Sequence, residues 1–489
     1  MRLLSFRALL MVVVAFGMFA TPAAADHDGN PDALNITQVF ASPNATGAIN
    51  SDLAFWGKRA YAGNYDGFRI YDVSNPAAPV QLVDFRCHGP QNDPAVWQNK
   101  LLFLAIDRTQ SKPECGSVDT AAHDDPTGWE GVRIFDVSNP RAPEYITSVY
   151  TDCGAHTITL WPKNPAHVLL YVSSYPLRPG PTCGPIRGPE AGRDPLHGVI
   201  QVIDVPVKHP EKAKEIAEPP ITYPGDPDNQ FIWSEHGLPF IPGQLEFAAR
   251  ACHDIGVFVE LRLAAAACAE QGQLWRVKGN GIPDTQHPIW VYDDQVDETG
   301  TTGDPDDPGV VVDFFHSATF SWDGEVVNFI DESFGFGCPP TTTAPIGGDT
   351  GRMFFLDTAT GAKLSQFALP REGEVGYCSA HLGNAVATED ARLSVNAWYN
   401  GGINVVDFTD PTAPTEVAFW DETSDNWSAY WYQGPSLPGP VVTLYGTDGV
   451  EAPATGEGFQ VFAAELSVKA ERLDHMNPQT QDKVIELDE

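Results

Sequence analysis

Three segments share one pattern of apolar and polar positions: GFRIYDVSNPAAP (67–79), GVRIFDVSNPRAP (131–143) and GGINVVDFTDPTAP (401–414). Each opens on glycine, alternates apolar and polar side chains up to an aspartate, turns at Ser/Thr-Asn/Asp-Pro, and resumes after a second proline. Alternation with period two reads as a strand, and the Pro-containing cluster reads as its turn. Weaker copies stand at GVIQVIDVP (198–206), GRMFFLDTATG (351–361) and GFQVFAAEL (458–466). Two more apolar stretches precede the motif, as in DLAFWG then RAYAG, or PAVWQ then KLLFLAI. Strand, turn and strand recurring at about 60 residues mark a repeat architecture. Four strands per unit is the composition of a propeller blade.

The first strands of the units start at Ser51-Asp52, Asn92-Asp93, His156, His253, His316, His381 and Trp427, which predicts an all-β, seven-bladed β-propeller of four-stranded blades. The last unit lacks a fourth strand of its own. NITQVFAS (35–42) has the outer-strand pattern of PVQLVDF and PTEVAFW, so the N-terminal strand is expected to close the last blade. RLAAAACAEQGQLWRV in the fourth unit is a poor β sequence and reads as partly helical. The aspartates Asp72, Asp136, Asp204, Asp357 and Asp407 occupy one repeated position, where a carboxylate can cap the following turn. The strong segments resemble the LVIVD-repeat propellers, a group of secreted prokaryotic proteins. That resemblance extends over most of residues 33–465; it implies the fold and carries no single activity with it.

Before the repeats, Arg2 and Arg7, the apolar run Ala8 to Ala20 and Ala23-Ala24-Ala25 have the layout of a secretory signal peptide over 1–25. The propeller is then expected over 26–466, followed by a polar C-terminal tail, 467–489, loose or docked on the surface. The apolar run is shorter than a membrane span. A net charge of −36 argues against nucleic acid and anionic membrane as partners, because their phosphates would repel the chain. A small molecule or an extracellular protein is the expected partner of a secreted monomer. The loop DETGTTGDPDDPG (297–309) offers oxygen ligands for Ca²⁺ without the ordered spacing of a calcium loop, and reads better as solvated acid.

All eight cysteines lie beyond the signal peptide, and an even count in an oxidising compartment argues for disulfides. In a propeller, the loop before a first strand and the loop after a second strand open on one face. This places Cys87 near Cys115, Cys153 near Cys183, and Cys252 near Cys268, and it would join Cys338 to Cys378 across neighbouring blades. Thiolate metal ligation is the less favoured reading.

HTITLW, HDIGVFV, HSATFSW and HLGNAV align on their strands, which sets His156, His253, His316 and His381 at the head of four consecutive inner strands. Imidazole suits Zn or Cu, and several converging imidazoles with an open position make a reactive metal site. Asp52, Asp93 and Asp254 are candidate carboxylates; Asn92 and Trp427 stand at equivalent places, and the loop histidines His236 and His88 are within conceivable reach. No GxSxG elbow, Walker loop or HExxH is present. Two functions follow as expectations. The first is a secreted propeller that binds a ligand or partner at its channel mouth and loop face, without catalysis. The alternative is a Cu- or Zn-dependent oxidase or hydrolase built on the histidine arc.

Overall fold

A computed structural model describes residues 33–43, 47–174, 180–183, 198–222, 251–268, 271–292, 314–332, 351–370, 379–399, 401–421, 426–449 and 457–488. Over these residues the fold is all-β and propeller-like. Its six sheets are built from antiparallel four-stranded meanders, taken in chain order except for the last, whose outer strand comes from the N-terminal segment. The first runs Asn50–Trp56, Arg59–Asn64, Gly67–Asp72, Val80–Arg86, and the second Gln91–Trp97, Leu101–Gln110, Trp129–Asp136, Glu144–Tyr150. In the nine-stranded sheet, two meanders meet through one parallel bridge, Leu382 to Ser428. The strand Ile36–Pro43 pairs antiparallel with Glu457–Ala464, from Ile36 opposite Ala464 to Pro43 opposite Glu457, so the N-terminal segment supplies the missing outer strand.

The motif glycine has a steric cause. Gly67 and Gly131 open their strands at φ +145° and +136°, and a Cβ there would lie 2.0 Å from the Phe85 carbonyl and 2.2 Å from the Val149 carbonyl. Each carbonyl belongs to the outer strand that pairs with the motif strand. Only glycine allows that approach, because other side chains are both strained and in collision. Gly131→Ala is therefore expected to lower the urea midpoint by an amount worth about 2 kcal/mol or more; an unchanged midpoint would refute this reading.

The motif aspartates cap their turns. Asp72 accepts the Ser74 N–H at 2.9 Å, Asp136 that of Ser138 at 2.8 Å, Asp357 that of Thr360 at 2.7 Å and Asp407 that of Thr409 at 2.9 Å. Asp204 departs from the pattern. The residue two places on is Pro206, which has no N–H, and Asp204 instead accepts from His167 Nδ1 at 2.9 Å.

Helix is not what the alanine run becomes. Leu263–Cys268 and Gln271–Arg276 are strands, with Ala264, Ala265, Ala266 and Ala267 fully buried. Pairing on both sides overrides a helical propensity worth only tenths of a kcal/mol per residue. The three disulfides Cys87–Cys115, Cys153–Cys183 and Cys252–Cys268 are formed, whereas Cys338 and Cys378 lie outside the described residues.

The first strands stand side by side and are tied to one another by polar side chains. Ser51 Oγ donates to the Asn92 carbonyl at 3.4 Å, and Asp93 accepts the Ile158 N–H at 3.0 Å. Thr157 and Thr159 donate to the carbonyls of His253 and Ile255 at 2.6 and 2.7 Å. Ser317 donates to the His381 carbonyl at 3.2 Å, and Thr447, on the second strand Val442–Asp448, donates to that of Ser51 at 2.9 Å. Residues 467–488 run across the far ends of these strands. His475–Met476 pairs with Asn50–Trp56, and Thr480–Gln481 with Ile255–Phe258.

Candidate metal centre

Because each histidine heads a first strand and the strands lie side by side, the fold brings all four imidazoles into one row. Ring centroids are 4.4 Å apart from His156 to His253, 3.7 Å from His253 to His316, and 4.2 Å from His316 to His381. All four are buried. Phe314 covers His253, while Tyr399 and Trp427 flank His381, with ring centroids 5.5, 4.5 and 4.9 Å away.

The two end members are oriented through one ring nitrogen. His156 Nδ1 is 2.6 Å from Asp107 Oδ2, and His381 Nδ1 donates to the Trp427 carbonyl at 2.5 Å. In His381 this leaves Nε2 on the Glu332 side. Metal-bound histidines are held in the same manner, through the nitrogen that does not ligate. The middle members are turned the same way, the His253 ring toward the His316 backbone and the His316 ring toward that of His381.

Glu332 faces the row. Its Oε2 is 3.9 Å from His316 Nε2, its Oε1 is 4.0 Å from His381 Nε2, and Tyr399 donates to Oε1 at 3.1 Å. The donor atoms of His316, Glu332 and His381 all lie within 4.8 Å of one another, as do those of His253, Asp254 and His316. Two bonds of about 2.1 Å set a limit of about 4.2 Å between ligand atoms on one ion, so sub-ångström side-chain shifts would close either set.

Burial decides the charge states. It pushes His253 and His316 well below the usual imidazole range, helped by the neighbouring histidines, and it takes His381 down to about 3. These rings are neutral in ordinary buffers, as ligation requires. The same desolvation raises Glu332 to about 7 and Asp254 to about 8. Asp52 and Asp93, on the first two inner strands, neighbour each other and Asp254 in the channel; burial lifts Asp52 to about 7 and Asp93 well above the carboxylate range.

Other expected participants have other places. His88 is a clip between loops, with Nδ1 3.2 Å from Asp66 and Nε2 2.8 Å from Asp119. Asn92 Nδ2 donates to the Asn64 carbonyl at 2.7 Å, a local tie. Trp427 contributes its carbonyl and ring rather than a donor atom. His236 and the acidic loop 297–309 lie outside the described residues. Asp107, Glu332 and Tyr399 were missed. The first two do carry a signal, an acid closing a buried apolar run: Asp107 in LLFLAID, and Glu332 as the second acid in VVNFIDE.

The His88 clip has a defined pH window. Asp119 above all holds the imidazole above 6.5, a stabilisation present below 6.5 and lost as pH rises through the raised value. Burial opposes ionisation of Asp119, but hydrogen bonds from His88 and Gln110 hold it well below 3.8, a stabilisation present above 3.8 and lost in stronger acid. His88→Ala should therefore destabilise most between pH 3.8 and 6.5. The effect should stay below about 1 kcal/mol because the pair is a third exposed. Equal losses at pH 5 and pH 9 in urea titrations would count against it.

The model of the LVIVD repeat family matches residues 49–85, nearly all of the first meander. The chain carries an LVIVD repeat there. No curated protein matches this LVIVD-repeat protein by sequence. In shape it is similar to a candidate 6-phosphogluconolactonase from Bacteroides fragilis, with a TM-score of 0.45, 10% identity, and coverage of 90% of this chain and 99% of that one. It is also similar to a chain of the mitotic checkpoint complex, with a TM-score of 0.44, 10% identity, and coverage of 91% and 98%. Likenesses at this level say nothing of the LVIVD-repeat protein's chemistry.

Proposed function

We propose that this LVIVD-repeat protein is an exported seven-bladed propeller carrying a transition-metal centre in its central channel, with His316, Glu332 and His381 as ligands. The seven-blade reading rests on the side-by-side first strands and the return from Thr447 to Ser51. Export rests on the signal-like N-terminus and the three disulfides.

One observation carries the metal reading: the Nδ1–H of His381 is committed to the Trp427 carbonyl, which leaves Nε2 to face Glu332 beside His316. A neutral, pre-oriented pair of imidazoles with a tethered carboxylate is a donor set for a borderline divalent ion such as Zn or Cu. The ion would supply Lewis acidity and open coordination positions, so the reaction class is hydrolysis or oxidation of a small molecule. Tyr399 would hold Glu332, Asp107 would hold His156, and Phe314 with Trp427 would keep water from the row.

The test is the metal content of the exported, untagged protein, measured by inductively coupled plasma mass spectrometry beside a His316→Ala/His381→Ala variant. Stoichiometric transition metal that disappears in the variant supports the centre and justifies hydrolase and oxidase screens. If neither protein retains metal after incubation with Zn²⁺ or Cu²⁺, the centre does not exist, and the channel polar groups are structural.

A further inference from the structure

The arginine of the repeated motif has two different surroundings. In the first meander Arg69 stands opposite Asp84 of the outer strand, Nε 3.8 Å from Oδ1, and donates to Asn50 Oδ1 at 3.1 Å. In the second meander the same register sets Ser148 opposite Arg133, so the acid is missing. Arg133 is fully buried all the same, and Glu114 and Tyr145 act on it only at longer range. A buried cation without an adjacent counter-charge is unfavourable, and it needs a reason to remain.

Arg133 is turned on a disulfide instead. Its Nη1 donates to Cys87 Sγ at 3.3 Å and to the carbonyls of His88 and Cys87 at 2.7 and 3.4 Å. Nε donates to the Pro113 carbonyl at 2.7 Å, and Nη2 to Ser117 Oγ at 2.8 Å. The guanidinium thus holds Cys87 on one side and the loop of Cys115 on the other. The two sulfurs differ in access: Cys87 is buried, whereas Cys115 is partly exposed between exposed Glu114 and Gly116. Burial takes Arg133 down to about 10, which leaves it charged in neutral buffers. Among the described residues, neither Cys153–Cys183 nor Cys252–Cys268 has a cation hydrogen-bonded to sulfur.

We infer that Cys87–Cys115 is a redox-active disulfide that exchanges with external dithiols, attacked at Cys115 with Cys87 as the leaving group. The inference is independent of any metal in the channel. A thiolate of the dithiol bonds to Cys115 Sγ, the Cys87–Cys115 bond breaks, and its electron pair goes to Cys87 Sγ. The Cys87 thiolate then rests against Arg133 and supplies the counter-charge that Ser148 does not. The second thiolate of the dithiol attacks the first one's sulfur in the mixed disulfide, and Cys115 leaves and takes a proton from solvent. The dithiol ends as a disulfide and the protein as two cysteines, a transfer of two electrons. A thiolate stabilised by an adjacent cation leaves faster than an unassisted one. The loop stays docked after cleavage, because Ser117 Oγ donates to the His88 carbonyl at 3.2 Å and His88 Nε2 lies 2.8 Å from Asp119. Both cysteines therefore stay close enough for the bridge to re-form.

The experiment exposes the folded, full-length, untagged protein to dithiothreitol, quenches with acid, alkylates, and maps the modified cysteines by mass spectrometry. Cys87–Cys115 is expected to open about tenfold faster than Cys153–Cys183 and Cys252–Cys268, with circular dichroism unchanged. Under the monothiol β-mercaptoethanol, the mixed disulfide should form on Cys115. Ser148→Asp restores the acid of the first meander and should slow opening about tenfold, as should Arg133→Gln. Ser148 lies on a partly exposed outer strand, so its variant keeps the test decisive where Arg133→Gln fails to fold. In Cys115→Ser, the ultraviolet absorbance of Cys87 should show thiolate at neutral pH, where an unassisted cysteine is mostly thiol. Opening of the three bridges at one rate, or only after unfolding in urea, overturns the inference. So does an adduct on Cys87, or a parent rate of opening in folded Ser148→Asp and Arg133→Gln.

Discussion

Removing residues 467–489 is expected to cost more stability than any single substitution in the protein. Strands at the heart of a ring have one edge turned to the channel, where backbone groups lack a sheet neighbour and must find partners. The tail supplies them. Asn477 accepts the Val96 N–H at 2.8 Å and donates to the Val96 carbonyl at 3.0 Å. Gln481 treats Phe320 in the same way, at 3.0 and 2.7 Å. A side-chain amide thus takes the place of a strand residue on two different inner strands. Backbone bonds add to this, from Val257 N–H to the Gln479 carbonyl and from Gly57 N–H to that of Asp474, at 2.8 and 2.7 Å. Leu473, Met476 and Ile485 are buried alongside. Three such side chains at about 1.5–3 kcal/mol each place the loss on the order of 5 kcal/mol, an upper estimate since unfolded chains bury some area already. Urea denaturation of the chain ending at Leu466 should show a midpoint far below that of the full chain. Asn477→Leu alone should cost about 1–3 kcal/mol by stranding the Val96 groups. A truncated chain that unfolds at the parent midpoint would refute the strap.

Polar composition hid that role. A segment with few apolar residues reads as loose or merely docked on the surface, because it cannot bury enough area to order itself. Here the order comes from backbone edges that only the completed ring presents, a condition invisible in the local sequence. The alanine-rich strands of the fourth meander were obscured for a related reason: propensity is local and pairing is not. Asp204 shows the limit from the other side, since Pro206 was in view and already forbade the cap. The repeated strands were legible because period-two alternation and the Gly-to-Asp motif are local consequences of one blade geometry. The histidine row was legible too, because equivalent positions on first strands must meet in a ring. Its supporting carboxylates were not sought, because they stand on or just after second strands. In the antiparallel hairpin the ends of those strands return to the head of the first strand, which is how Glu332 reaches His316 in its own meander and His381 in the next.

Loading the metal-stripped protein with Zn²⁺ or Cu²⁺ is expected to raise its stability by about 4 kcal/mol at a thousandfold excess over Kd, because the ion binds the folded ring and not the dispersed ligands of the unfolded chain. The increment should vanish in His316→Ala, whose imidazole belongs to both donor sets. Replacing Asp107 by Asn should leave binding essentially unchanged, since that carboxylate orients His156, which belongs to neither donor set. Glu332→Gln should weaken it: the amide oxygen can still accept from Tyr399, but the charge that draws the cation is gone. Ca²⁺ is the discriminating control. A chain of net charge −36 will gather cations on its surface, and such binding follows charge rather than ligand type. Stabilisation by Zn²⁺ that Ca²⁺ matches, or that persists in His316→Ala, would assign the effect to surface carboxylates. A preference for Zn²⁺ or Cu²⁺ over Ca²⁺ that depends on His316 would assign it to nitrogen donors in the channel, because only imidazole distinguishes borderline ions from hard ones there.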